Sequence, residues 1–264
     1  MNDRNEKDHK ARIVDQFSRQ AIPFAQVPGH FDAMWVLIEM SGVGRDDNVL
    51  DVACGPGMVA CEFAHYAGQV TGLDITPAMI EQARKRQREQ KLENLEWAVG
   101  DAVPLPYPDN LFSLVITRYS FHHLISPERA LAEMIRVCRP GGRVLVADVA
   151  IPPDKSSAYD RLEIMRDPSH THALTQEEFS GLFGNSGLLD CRRSAYGVDI
   201  ELEEQLRASF PKEGDESKLR DMITGDMGTD GFGINARKVE GKIIYTVPIT
   251  VCVGRKRQLN HGCR

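Results

Sequence analysis

Two adjacent histidines, His122 and His123, stand in the stretch Tyr119-Ser-Phe-His-His-Leu124, directly after an apolar run that reads as a strand. An imidazole can accept a proton near neutral pH. Either ring could therefore act as a general base, with His123 the preferred one. Tyr119 and Phe121 flank the pair and could line a substrate site. A second group lies further on, in Arg166-Asp-Pro-Ser-His-Thr-His172, where Arg166 and His170 could bind an acidic or phenolic molecule. Phe17, Phe24 and Phe31 near the start could close over that molecule as an aromatic lid, with Phe24 among its contacts. The His170-x-His172 spacing invites a metal, but no carboxylate or cysteine stands at a supporting distance in the chain. Zinc sites take three or four ligands, so no metal is expected.

A different chemistry is written in Val49-Leu-Asp-Val-Ala-Cys-Gly-Pro-Gly-Met-Val-Ala60. An apolar strand carries Asp51 into a turn of small residues, from Ala53 through Gly55 to Gly57, and a helical pattern follows. Such a strand–turn–helix lets backbone approach a bound nucleotide closely. The spelling Gly55-x-Gly57-x-x-Ala60 also satisfies the dinucleotide fingerprint. Asp74, 17 residues after Gly57, ends a second apolar run, where an acid can take two ribose hydroxyls. Asp101, followed by Ala102, comes after a third run, where its carboxylate suits an exocyclic amine such as that of adenine, while Asp51 could hold an ammonium. A dinucleotide needs a second half-sheet for its second nucleotide. This chain offers only an irregular segment and a lone final strand after residue 149.

The elements that must position these residues alternate. Apolar runs at 49–53, 69–73, 95–99, 111–117 and 143–149 read as strands. Helical patterns lie between several of them, at 58–67, from Pro77 to about Lys91 with Thr76 as N-cap, and from Ser126-Pro127 to just before Pro140. The alternation predicts a parallel sheet with right-handed crossovers. Ahead of it lie a mixed-charge helix at 9–21 and a helix containing Met34, Trp35 and Ile38 that Gly42 stops. Beyond it come a helix at 156–166, a capping box from Thr175 to Glu178, a strand at 188–196, a helix at 216–227 and a final strand at 243–253. The loop at 211–217 is the expected flexible spot.

The whole chain has 264 residues, 42% of them hydrophobic, with a net charge of −6. That supports one α/β domain with a real core and argues against a nucleic-acid partner, which wants a basic footprint. The charged start carries no signal peptide, and no run approaches a membrane span. Six cysteines without a Cys-x-x-Cys pair fit a reducing, cytoplasmic setting. Nothing in the pattern speaks to oligomeric state.

Five segments in order resemble the motifs of class I S-adenosylmethionine-dependent methyltransferases: 49–57, 70–84, Gly100-Asp-Ala-x-x-Leu-Pro106, 112–124 and 136–148 with its Arg139-Pro-Gly-Gly142. Within that family the resemblance is to the group of ubiquinone and menaquinone biosynthesis methyltransferases, and it covers about 45–195. It implies a Rossmann-like, mostly parallel seven-stranded sheet with helices on both faces and an N-terminal helical lid. As one domain, residues 1–44 would be the lid, 45–150 the cofactor core, and 151–264 the substrate cover and last strands.

The resemblance also implies S-adenosyl-L-methionine as cofactor. Gly55 and Gly57 would lie against its methionine part, Asp51 near its amino group and Asp74 on its ribose. Ile75 and Met79 would flank the adenine, Asp101 and Ala102 would meet its edge, and Arg118 would line the methionine tail. Ala53 stands where that family often has Gly. The implied reaction is in-line methyl transfer to a carbon, oxygen or nitrogen of a small aromatic or heterocyclic metabolite. Three rivals share parts of the pattern: other chemistry on the same cofactor (cyclisation or carboxypropyl transfer), a nicotinamide oxidoreductase, and a binding protein without catalysis.

Overall fold

Unbroken apolar runs, which suit strands covered on both faces, form the middle of the sheet. In the computed structural model, which describes residues 3–24 and 33–258, β1 (Asn48–Val52), β2 (Gln69–Asp74), β3 (Leu95–Val99), β4 (Phe112–Arg118) and β5 (Cys138–Val149) pair in parallel. β4 is buried along its whole length. The sheet runs β3-β2-β1-β4-β5-β8-β6, with β6 (Leu189–Glu201) at its far edge. β8 (Lys242–Arg255) is antiparallel to both β5 and β6. The fold is the expected mostly parallel α/β sheet, with one addition. A short strand, β7 (Arg237–Val239), forms a hairpin with the start of β8 and makes eight strands in all.

Helices cover both faces. Apolar side chains fall into two clusters, one containing Leu37, Phe63 and Val251, the other containing Phe112, Leu131 and Phe179. α5 (Pro127–Val137) illustrates the cause: Ala130, Leu131, Met134 and Val137 share one face and all are buried. α3 (Met58–Ala64) and α4 (Pro77–Gln90) follow the first two strands, with Pro77 preset for a helix start. Thr76 is the N-cap of α4, but through its backbone only. α6 (Pro153–Arg166) follows β5, and α7 (Gln176–Gly184) begins with the full Thr175–Glu178 capping box.

Of the two N-terminal helices, only α1 (Asp3–Phe24) lies over the carboxyl ends of the strands. α2 (Met34–Ser41) sinks Leu37 into the core instead, so the expected lid shrinks to its first helix. β5 begins five residues ahead of its expected start at 143, because Cys138 already pairs with Phe112 across a register shift. The loop expected at 211–217 is cut short by α9 (Asp215–Gly225), and α8 (Leu202–Ser209) has no counterpart in the sequence pattern. Its buried stripe includes Gln205 and Ser209 as well as Leu206, which blurs the apolar period.

Strand order reverses between β1 and β4, and open α/β sheets place their clefts at the carboxyl ends beside such a reversal. No helix among the described residues is long and apolar enough to cross a membrane.

Candidate active site

Two cavities open at that switch point and share Phe17, Tyr119 and His123. The first runs along the ends of β1, β2 and β4 beneath α1. Asp51, Ala53 and Gly55 line it from β1 and its turn, Asp74, Ile75 and Met79 from β2 and α4, and Asp101, Ala102 and Arg118 from β3 and β4. So nine of the ten expected cofactor positions gather around one space. Gly57 is the exception. A Cβ there would lie 2.7 Å from the Trp97 ring and 2.8 Å from Ala83 Cβ, so this glycine serves helix packing. At Gly55 a Cβ would meet nothing within 4 Å, and the left-handed φ of +52° is what glycine supplies.

Two buried carboxylates stand in the wall of this cavity. Asp51 is 1% exposed, and its Oδ2 has no hydrogen-bond partner among the described residues. Burial pushes its carboxyl well above the ordinary range. The Ala60 backbone opposes that, Asp74 adds to it, and Arg118 opposes it again. Asp74 is also raised by burial, partly offset by backbone N–H groups. Thr76 N donates to its Oδ1 and Gly55 N to its Oδ2, each at 2.8 Å. Asp101 caps its own loop by accepting from Val103 N at 3.0 Å. It also meets Lys10 of α1 at 2.6 Å. Burial works against the Lys10 charge, but the hydrogen bonds to Asp101 and Glu6 outweigh it and raise its pKa. Arg118 Nη2 donates to Tyr119 Oη at 2.7 Å and its Nε donates to Tyr196 Oη at 3.2 Å.

The second cavity is walled by aliphatic side chains of β5, β6 and β8, Val149, Ile200 and Ile249 among them, and by Tyr159 and Tyr245. Arg166 lines it, but its charge is taken. Nε lies 3.1 and 3.0 Å from the two Glu163 oxygens, Nη2 lies 2.5 Å from one of them, and Nη1 donates to Ser209 at 3.1 Å. Glu163 thus already balances the charge that the sequence offered to an acidic molecule. Gln205 faces the same space with its Oε1 buried and unpartnered among the described residues.

The two histidines differ. His123 borders both cavities and is 7% exposed. Burial and the neighbouring His122 push its pKa down to about 3, Asp167 only partly compensating, so the ring is neutral and a weak base. Its Nδ1 lies 3.1 Å from Ser169 Oγ, and Phe17 packs edge-on at 5.0 Å. His122 borders only the second cavity, and its Nδ1 lies 2.5 Å from Asp148 Oδ1. Burial disfavours its charge, yet Asp148 outweighs this and raises its pKa. Of the two rings, His122 is thus the more basic.

Two expected substrate residues line neither cavity. Phe121 is 2% exposed inside the core cluster that holds Leu131. His170 packs behind His122 at 5.6 Å between ring centroids. His170 and His172 share the carboxylate of Asp160, at 2.8 and 2.7 Å. No group of three or more His, Cys, Asp or Glu among the described residues is disposed to hold a metal ion. The side chain of Phe24 and all of Phe31 lie outside the described residues.

Beyond Phe17, sequence reading missed a stripe on α1. His9, Lys10, Ile13 and Phe17 line the first cavity, and Phe17 and Gln20 the second. His9 Nε2 bonds the His123 carbonyl at 2.7 Å, and Gln20 donates to Asp167 at 3.3 Å. The spacing of three and four was there to see, but polar members hid it from an apolar search.

Residues 50–146 match the model of a methyltransferase domain. The uncharacterized methyltransferase YcgJ of Bacillus subtilis is 31% identical over 226 residues, covering 84% of this chain and 89% of that protein. Its crystal structure superposes with a TM-score of 0.77 at 23% identity over 86% of this chain and 98% of that one. The ubiquinone/menaquinone biosynthesis C-methyltransferase UbiE of Pseudomonas putida is 33% identical over 190 residues, 61% of this chain and 74% of that protein. A further structure, the Haemonchus contortus phosphoethanolamine N-methyltransferase 2 in complex with S-adenosyl-L-methionine, superposes with a TM-score of 0.62 at 18% identity, over 85% of this chain and 52% of that one. With a relative of that identity spanning most of both sequences, the chain belongs to the S-adenosylmethionine-dependent methyltransferases.

Proposed function

We propose that the first cavity holds S-adenosyl-L-methionine and the second a small-molecule acceptor, methylated in line at carbon, oxygen or nitrogen. One observation carries the reading: the unpartnered, buried Oδ2 of Asp51, with Asp74 in the same wall. Two carboxylates facing an enclosed space favour a cationic occupant, and the amino group of the cofactor is the partner that Asp51 lacks. Asp74 retains lone pairs for ribose hydroxyls after its two backbone bonds. Ile75 and Met79 offer flat apolar contact to a purine, and Ala102 lies at its edge. When bound, S-adenosylmethionine supplies a methyl group on a positively charged sulfur, already activated for transfer.

The protein then has to position an acceptor and keep water away. Phe17, Tyr119 and His123 stand where the cavities meet, and α1 lies across that junction. Aliphatic walls and the self-neutralised Arg166–Glu163 pair favour an uncharged acceptor with an apolar body. The test is incubation of the full chain with methyl-labelled S-adenosylmethionine and a fractionated small-molecule extract. A labelled organic product with S-adenosylhomocysteine supports the reading. Methylthioadenosine, or S-adenosylmethionine bound but never consumed, would contradict it.

A further inference from the structure

Asp148 is committed on every side. Its Oδ2 accepts from Ser120 N at 2.8 Å and Phe121 N at 2.6 Å, and its Oδ1 accepts from Val149 N at 2.8 Å. The same Oδ1 lies 2.5 Å from His122 Nδ1. A carboxylate fixed by three backbone donors fixes the imidazole in turn. Thr171 holds the other end of the residue, its N and Oγ1 each donating to the His122 carbonyl at 2.8 Å. With Nδ1 taken, the remaining ring nitrogen is Nε2, and His122 borders the second cavity.

We propose that Asp148 and His122 form a proton-accepting pair for an acidic hydroxyl, phenolic or enolic, on a molecule seated in the second cavity. This rests on the reading of that cavity as the acceptor site. The step balances by itself. The O–H bond breaks, its electron pair stays on oxygen, and the proton bonds to Nε2 of His122. The imidazolium so formed is held by Asp148, and the oxyanion is the nucleophile. Asp148 acts as a positioning residue, since it touches His122 and not the acceptor. A carboxylate on Nδ1 sets the tautomer and strengthens Nε2 as a base. The charged groups around the ring are Asp148 from β5 and Glu163 and Arg166 from α6, and the rings of His123 and of His170, from the loop after α6, pack beside it. Glu163 favours the imidazolium and Arg166 opposes it.

4-Nitrophenol tests this without turnover, because its anion is yellow and its hydroxyl ionises near neutral pH. The full chain is first titrated with S-adenosylhomocysteine by calorimetry, and absence of binding there sinks the parent reading rather than this one. The probe is then added to the loaded protein at about pH 6, where the free probe is mostly un-ionised and added colour reports the imidazolium–phenolate pair that the transfer leaves. The expected result is saturable binding with the ionised fraction raised about threefold or more over the free probe. His122→Gln should abolish that rise while leaving S-adenosylhomocysteine affinity within about twofold, since the ring lies outside the first cavity. Asp148→Asn should lower the His122 pKa seen by nitrogen-15 NMR of labelled histidine, and should weaken the rise in step. If Asp148→Asn does not fold, His122→Gln decides alone. Equal ionisation in wild type and His122→Gln, or no saturable binding of the probe to the loaded protein, overturns the proposal.

Discussion

Asp74 Oδ2 accepts a hydrogen bond from Gly55 N at 2.8 Å, so the carboxylate at the end of β2 clamps the turn that follows β1. One side chain thereby shapes the glycine turn and faces the proposed ribose. Asp74→Ala should cost about 1–3 kcal/mol of S-adenosylhomocysteine affinity, the scale of hydrogen bonds to charged groups. It should also lower the melting temperature, because Gly55 N and Thr76 N both lose their acceptor. Calorimetry and a thermal melt check the two together; a melt change with unaltered affinity would restrict Asp74 to the turn.

Asp51 sets stability against function. Its folded carboxyl is raised above the unfolded 3.8, so stability is lost as pH rises from 3.8 to the raised value, and the full cost of burying the charge is present above it. Asp51→Asn should therefore stabilise the ligand-free protein at neutral pH while weakening cofactor binding. Affinity of the wild type should fall as pH drops through the raised value, since the neutral acid holds an ammonium poorly. Melts and calorimetry across pH test this, and a flat affinity profile would argue against the assignment.

The His122–Asp148 pair carries its own pH signature. His122 is raised above its unfolded 6.5, so its stabilising share is fully present below about pH 6.5 and fades as pH rises through the folded value. His122→Gln should flatten the stability difference across that window. Denaturant melts of both proteins at a series of pH values measure it.

Gly57→Ala should destabilise the fold by about 1–3 kcal/mol, the usual range for overpacking, because the new methyl runs into Trp97 and Ala83. The surviving folded protein should bind S-adenosylhomocysteine with affinity close to wild type. Loss of binding without loss of stability would return Gly57 to the cofactor contacts.

The lining of the first cavity was legible in the sequence because its signals are local. Asp51, Gly55, Asp74 and Asp101 each sit at a strand end that an apolar run announces, and the parallel sheet brings those ends together. The second cavity was legible only in part, through Phe17, Tyr119, His122, His123 and Arg166. Gln205 comes from a helix with a mixed stripe, Glu163 from the turn before Arg166, and Tyr245 from the last strand. Only tertiary packing unites them, and only the structure shows that Glu163 cancels Arg166 or that Asp148 selects His122. Phe121 was misread for the same reason: an aromatic beside two histidines looks like a site residue until its burial is seen.

An adenosyl cofactor held in the first cavity through Asp51 is the central expectation. Calorimetric titration of the full chain with S-adenosylhomocysteine and with NADH, in wild type and Asp51→Asn, addresses that in one experiment. The expected result is one-to-one micromolar binding of S-adenosylhomocysteine, about tenfold or more weaker in the variant, with no response to NADH. Binding of NADH without S-adenosylhomocysteine, or identical affinity in both proteins, would contradict it.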